Sequence, residues 1–176
     1  MNYPQVLSDL CALDAPSGFE APAAQAAARL LRPLVDQVEV DPMGSVLGVR
    51  RCGREGALKL LLDAHLDEIG LIVTGVEEGF LRFRSIGGVD PRMLPDREVT
   101  VLTDPPRFGV VACLPPHVQK AGDSGKSIPI PELMVDIGMT QEQAVQAVAL
   151  GTPIVFRGGC APARGCCPWP WPPGSW

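Results

Sequence analysis

Six short runs between Ile69 and Phe156 constrain this chain more than any other feature. They are Ile69–Gly75, Phe80–Ile86, Glu98–Leu102, Phe108–Cys113, Leu133–Ile137 and Pro153–Phe156, and Gly and Pro separate most of them. Val99 and Val101 alternate with polar neighbours, the period of a strand with one buried face. Glu77-Glu78-Gly79 reads as a hairpin turn between the first two runs. A single helix, Gln141 to Leu150, interrupts the series. Thr140 caps it, Gln143 stands at its third position, and Gly151 ends it. Short strands at this spacing with one helix predict a small β-barrel or sandwich.

The residues ahead of that series have a different texture. Val6, Leu7, Leu10 and Leu13 share one face of a helix over Pro4–Leu13. Ser17 and Glu20 have capping-box spacing before an alanine-rich helix running to about Leu34. Short strands are predicted at Val38–Asp41 and Ser45–Arg50, joined by a turn at Pro42-Met43-Gly44. Leu58–Ala64 is nearly all apolar, which suits a third strand covered on both faces in a parallel or mixed sheet. The expected architecture is therefore α/β at the start, with a β-barrel following from residue 69.

Composition excludes several classes. With 176 residues, 46% hydrophobic and 20% charged, the chain can form one ordinary domain or two small ones. It has no apolar run long enough to span a bilayer. MNYPQVLSDL has neither a basic region nor an apolar signal core, so the expected location is cytoplasmic. Net charge is −5, and the densest basic group is Arg50, Arg51 and Arg54, which lacks the interleaved aromatics of a nucleic-acid face. No membrane or nucleic-acid partner is expected. None of the six cysteines forms a C-x-x-C pair, so neither a zinc knuckle nor a redox motif is indicated.

The candidate chemistry lies in DAHLDE, residues 63–68, at the carboxyl end of the predicted third strand. Strand ends of this kind face the crevice where α/β proteins bind ligands. On an extended chain Asp63, His65 and Asp67 share one face and Glu68 points away. Imidazole is a common metal ligand, and a nearby carboxylate fixes its tautomer. The competing reading is a structural histidine bonded to an acid. The other histidine, His117, follows two prolines and reads as a surface residue on a rigid turn. GDSGKS, 122–127, lacks the first glycine of a phosphate loop and is followed by Pro129 and Pro131, which argues against nucleotide binding. Asp90 and Arg92 sit in a crossover loop, where they can form an ion pair or serve an interface.

Taken together, these segments resemble the metallo-aminopeptidase family that includes glutamyl aminopeptidase and the tetrahedral aminopeptidases. LLLDAHLDEIGLIVTGVEEGFLRFRSIGGVDPRMLP carries most of the likeness, with APSGFE, DPMGSVLG, GVVACLPPH, LMVDIGMTQEQA and GTPIVF in order around it. The resemblance covers about residues 5–157. It implies an incomplete peptidase-type α/β domain (phosphorylase/hydrolase-like) over 1–68, with a small β-barrel dimerisation domain inserted over 69–157. It implies a homo-oligomer acting on peptides. It also implies a pair of divalent metal ions, zinc or cobalt, that activate water to release the N-terminal residue. In that family pattern His65 is a metal ligand and Asp67 the acid that orients it.

The family's remaining ligands follow its barrel, and this chain does not show them. From Arg157 the pattern gives way to RGGCAPARGCCPWPWPPGSW, which has no helical or strand period. The tail, 158–176, is expected to be disordered, and the 176-residue chain to bind metal weakly and to be inactive alone. Two rival readings remain. One is a non-catalytic dimerisation module. The other is an endoglucanase, a label some relatives carry, although it would need two carboxyl groups facing each other across about 5–10 Å.

Overall fold

A computed structural model describes residues 2–113 and 127–158. His117, most of GDSGKS and nearly all of the tail therefore lie outside the described residues. Helix α1 is Tyr3–Cys11, opened by Asn2, whose side chain accepts from the Gln5 N–H. Helix α2 is Ala21–Leu31 and buries Ala23, Ala24, Ala26 and Ala28. It starts later than the Ser17–Glu20 spacing predicts. Glu20 itself occupies the cap position, and its carboxylate accepts from the Gly18 N–H at 2.7 Å rather than closing a capping box. A tight turn, in which the Phe19 N–H donates to Pro16 O, delays the helix until Pro22 can serve in its first turn.

Strands β1 (Gln37–Val40) and β2 (Val46–Val49) form an antiparallel hairpin, with Val38 opposite Gly48. Asp41 Oδ1 accepts from the Met43 and Ser45 N–H groups and so builds the predicted turn. Helix α2 packs on this hairpin, where Gly48 lies close to Leu31 and Val35.

The predicted third strand does not form. Residues 57–67 carry no helix or strand pairing, and Leu58, Leu60, Leu61 and Leu62 are 83–99% exposed. The run has the composition of an interior strand, yet among the described residues no strand edge pairs with it and no layer covers it. Apolar composition favours burial but cannot supply the neighbour that a ladder needs.

The later series closes as predicted. Strands β3 (Gly70–Glu77), β4 (Phe80–Ile86), β5 (Glu98–Val101), β6 (Arg107–Ala112), β7 (Met134–Asp136) and β8 (Pro153–Phe156) form a closed antiparallel barrel in the order β3-β4-β7-β6-β5-β8. Its interior follows the two-residue period. Leu71 and Val73 of β3, Leu81 and Phe83 of β4, and Val99 and Val101 of β5 meet Val111, Val135 and Ile154 in one apolar cluster. Helix α3, Gln141–Ala147, has the full capping box of Thr140 with Gln143. Val148, just beyond it, adds a buried side chain to the core. The β3–β4 hairpin turns at Glu78 and Gly79, both at positive φ (53° and 90°).

Candidate metal-binding cleft

His65 stands at the end of the irregular run and its side chain is 85% exposed. Its Nδ1 lies 2.9 Å from the Asp67 carbonyl oxygen and 3.2 Å from Asp67 Oδ1. A carbonyl oxygen only accepts, so Nδ1 carries the proton and donates it to Asp67. The lone pair is then on Nε2, the nitrogen left free for a ligand. The Asp67 backbone carbonyl, with its carboxylate beside it, thus holds this tautomer. Because the two residues are only two positions apart on the chain, the arrangement needs no distant partner.

Glu68 has a different task. Its N–H donates to Ala15 O at 3.0 Å, its carbonyl accepts from the Ser17 N–H at 3.1 Å, and its Oε1 accepts from the Ala15 N–H at 3.2 Å. A parallel bridge between Pro16 and Glu68 completes the junction. The loop between α1 and α2 is thereby fastened to the entrance of the barrel. Gly70 sits in the same seam. A Cβ there would lie 2.9 Å from Ile154 O and 3.0 Å from Pro16 Cβ, so no larger residue fits without a shift. Desolvation raises the Glu68 pKa above its usual value, the Ala15 N–H opposes that, and Asp14 adds to it. No local sequence signal marks this staple, because its partners are 53 positions apart.

The staple also shapes a cleft of about 290 Å³ lined by residues that include Leu10, Cys11, Leu13, His65, Leu66 and Glu68. His65 and Glu68 therefore border one cavity, against the expectation that Glu68 faces away. Strand alternation does not apply here, since residues 57–67 are unpaired and the bridge to Pro16 redirects the chain. Asp63 is exposed outside this lining. Among the described residues Glu68 is the only carboxylate lining the cleft, so they do not supply the facing carboxyl pair of a glycosidase there. Among the described residues, too, no group of three or more His, Cys, Asp or Glu side chains converges as a metal site would require. The donor set suits one ligand with its orienting acid and does not fit a complete two-metal centre.

Residues 44–164 match the family model for M42 glutamyl aminopeptidase. The chain belongs to this family. The matched stretch runs from the β1–β2 turn through His65 and the whole barrel, and reaches a little past Arg157. A lysyl aminopeptidase of Pyrococcus furiosus is 34% identical over 76% of this chain and 38% of its own length. The aminopeptidase of Desulfurococcus kamchatkensis superposes with a TM-score of 0.82 at 35% identity, over 90% of this chain and 44% of its own. The TET1 peptidase of Pyrococcus horikoshii, which can assemble into a tetrahedron or a large octahedral shell, gives 0.72 at 33%, over 87% and 46%. The chain thus spans about two fifths of the length of these M42 relatives. What it shares with them is part of a peptidase α/β domain together with the barrel.

Proposed function

We propose that this chain is the amino-terminal portion of a metal-dependent aminopeptidase, with His65 as a metal ligand and Asp67 as the acid that orients it. The observation that carries this reading is the Nδ1–H donated to Asp67, which leaves Nε2 available at the mouth of a cleft. Family membership supports the reaction class, hydrolytic release of N-terminal residues from peptides, and the proposal adds divalent zinc or cobalt ions that would activate the water. The chain divides on this reading into 1–68, part of the catalytic domain, 69–157, a dimerisation barrel, and the 158–176 tail. The proposed setting is cytoplasmic. Among the described residues no helix is long and apolar enough to cross a membrane.

Among the described residues a single imidazole with one supporting acid leaves most coordination positions to water, so on this reading the chain is expected to bind zinc weakly and to cleave no aminoacyl substrate. Two measurements test this. In calorimetry, zinc should bind the chain weakly, and His65→Ala should remove that binding. Hydrolysis of chromogenic aminoacyl substrates with added zinc or cobalt should be undetectable. Robust turnover by this chain, or zinc binding indifferent to His65, would refute the assignment.

The barrel is proposed to mediate homo-oligomerisation, supported by the shells that the TET1 neighbour can form. Light scattering on the 69–157 fragment should give a dimer at micromolar concentration, and a monomer there counts against the barrel as the interface.

A further inference from the structure

We propose that Glu68 is a positioning residue for His65. It locks the α1–α2 loop in parallel register against the segment that enters β3, and so fixes the imidazole between its cleft wall and the barrel. Its bearing on catalysis rests on His65 being the metal ligand. Register links Glu68 to the imidazole. The Pro16–Glu68 bridge is parallel, so residues an equal number of positions before it run side by side. Three positions before Pro16 is Leu13, and three before Glu68 is His65. Both line the same cleft, and Leu10 of α1 continues that wall. A slip of one residue would set Asp14 or Ala12 opposite His65 instead.

The side chain supplies what the backbone cannot. The Glu68 N–H donates to Ala15 O at 3.0 Å and the Ser17 N–H donates to Glu68 O at 3.1 Å, but any residue other than proline could make that pair. Only the carboxylate reaches back to the Ala15 N–H, at 3.2 Å. Ala15 is 2% exposed, so this donor is held away from water and needs an acceptor from the protein. Gly70 closes the seam from the barrel side, since its built Cβ would meet Ile154 O at 2.9 Å and Pro16 Cβ at 3.0 Å. Ala15, Pro16 and Gly70 are all buried. Among the described residues α1, α2 and the β1–β2 hairpin pack chiefly on one another, and the barrel strands do the same, so this seam carries the joint between them. His65, three residues ahead of Glu68, takes its direction from that joint.

Residual dipolar couplings and amide exchange of the zinc-free, isotope-labelled 176-residue chain test this role. In the wild type, α2 and the barrel strands should fit one alignment tensor. Glu68→Ala should give each its own tensor and speed exchange of the Ser17 and Glu68 N–H groups about tenfold. Glu68→Gln keeps an acceptor for the Ala15 N–H and should retain the wild-type tensor and exchange rates. The Nδ1–H tautomer of His65, held locally by Asp67, should be the same in all three chains. A residue that only stabilises the fold would lower the melting temperature and leave α2 and the barrel on a common tensor. That result for Glu68→Ala, or a Glu68→Gln chain that behaves like Glu68→Ala, overturns the proposal. If Glu68→Ala does not fold, Gly70→Ala decides by the same criterion, because it crowds the seam without touching the carboxylate. No zinc is present, so a common tensor in Glu68→Ala leaves the assignment of His65 standing, and zinc binding indifferent to His65 leaves the joint standing.

Discussion

Alanine at Gly79 should be the most damaging small substitution in the hairpin, and the structure allows its parts to be separated. Gly79 is buried at φ +90°, and its N–H donates to Gln141 Oε1 at 2.9 Å. A Cβ at this position would lie 2.3 Å from Met139 O and 3.3 Å from Met139 C and Thr140 C. The obstacle is the backbone that caps α3, not the movable end of a side chain. Positive φ costs a residue with a Cβ about 1–2 kcal/mol. Forcing atoms into a packed site costs about 1–3 kcal/mol more, and the stiffer unfolded chain returns roughly 0.4–1 kcal/mol. The net loss centres near ~3 kcal/mol, a drop of about 12–24 °C in Tm for a domain of this size. Two controls divide the sum. Gly138 has φ +68° with nothing within 4 Å of a built Cβ, so Gly138→Ala measures the backbone cost alone, about 1 kcal/mol or less. Gly88 has neither a positive φ nor a neighbour, so Gly88→Ala should be neutral or slightly stabilising. Urea and thermal unfolding followed by far-UV circular dichroism give the ranking. If Gly79→Ala costs no more than Gly138→Ala, the Met139–Thr140 backbone yields freely and the hairpin is not locked to α3.

The Asp90 carboxyl should titrate at about 2, because hydrogen bonds from the Arg92 side chain and N–H favour its charged form. Carbonyl-carbon NMR should move that midpoint towards 3.8 in Arg92→Ala, and an unchanged midpoint would rule out the side-chain pair as the main cause. Because the folded pKa is lowered, any stability from the pair is complete above pH 3.8 and is lost as pH falls towards 2. Glu68 runs the other way. Its folded pKa is raised, so wild-type stability should fall as pH climbs from 4.5 through the raised value. Glu68→Gln keeps an acceptor for the Ala15 N–H, so its stability relative to wild type should improve across that window, and a difference that stays constant or moves in favour of wild type with rising pH refutes the desolvation argument.

How much of this was legible in the sequence depended on how far apart the interacting residues lie. The barrel strands announced themselves through alternation and Gly/Pro punctuation, and each boundary falls close to its predicted place because the interior selects every second side chain. The start of α3 was readable for the same reason, since Thr140 and Gln143 satisfy each other within one turn. The Ser17–Glu20 spacing is identical in form but failed, because a turn at Pro16–Phe19 took those residues first. A capping box is a local option, and a competing local hydrogen bond can displace it. Leu58–Ala64 failed for the opposite reason. Its composition specifies what should surround it, yet a strand exists only when a second strand supplies the ladder.

The same distinction separates the two halves of the candidate site. His65 and Asp67 are two residues apart, so the tautomer can be set by chain geometry alone, before any distant element arrives. Glu68 gained its role only through Ala15 and Ser17, and nothing in DAHLDE foretold that the acid beside the orienting acid would become a staple. A metal centre is the extreme case, because its donors must converge from several elements at bond-length precision. One oriented imidazole is therefore a starting point for such a centre, and the described residues bring no third donor to it. The physical consequence is a division of labour along the chain. Short-range contacts orient His65, the Glu68 staple holds the cleft beside it, and the proposed metal centre would need further donors that the described residues do not bring to it.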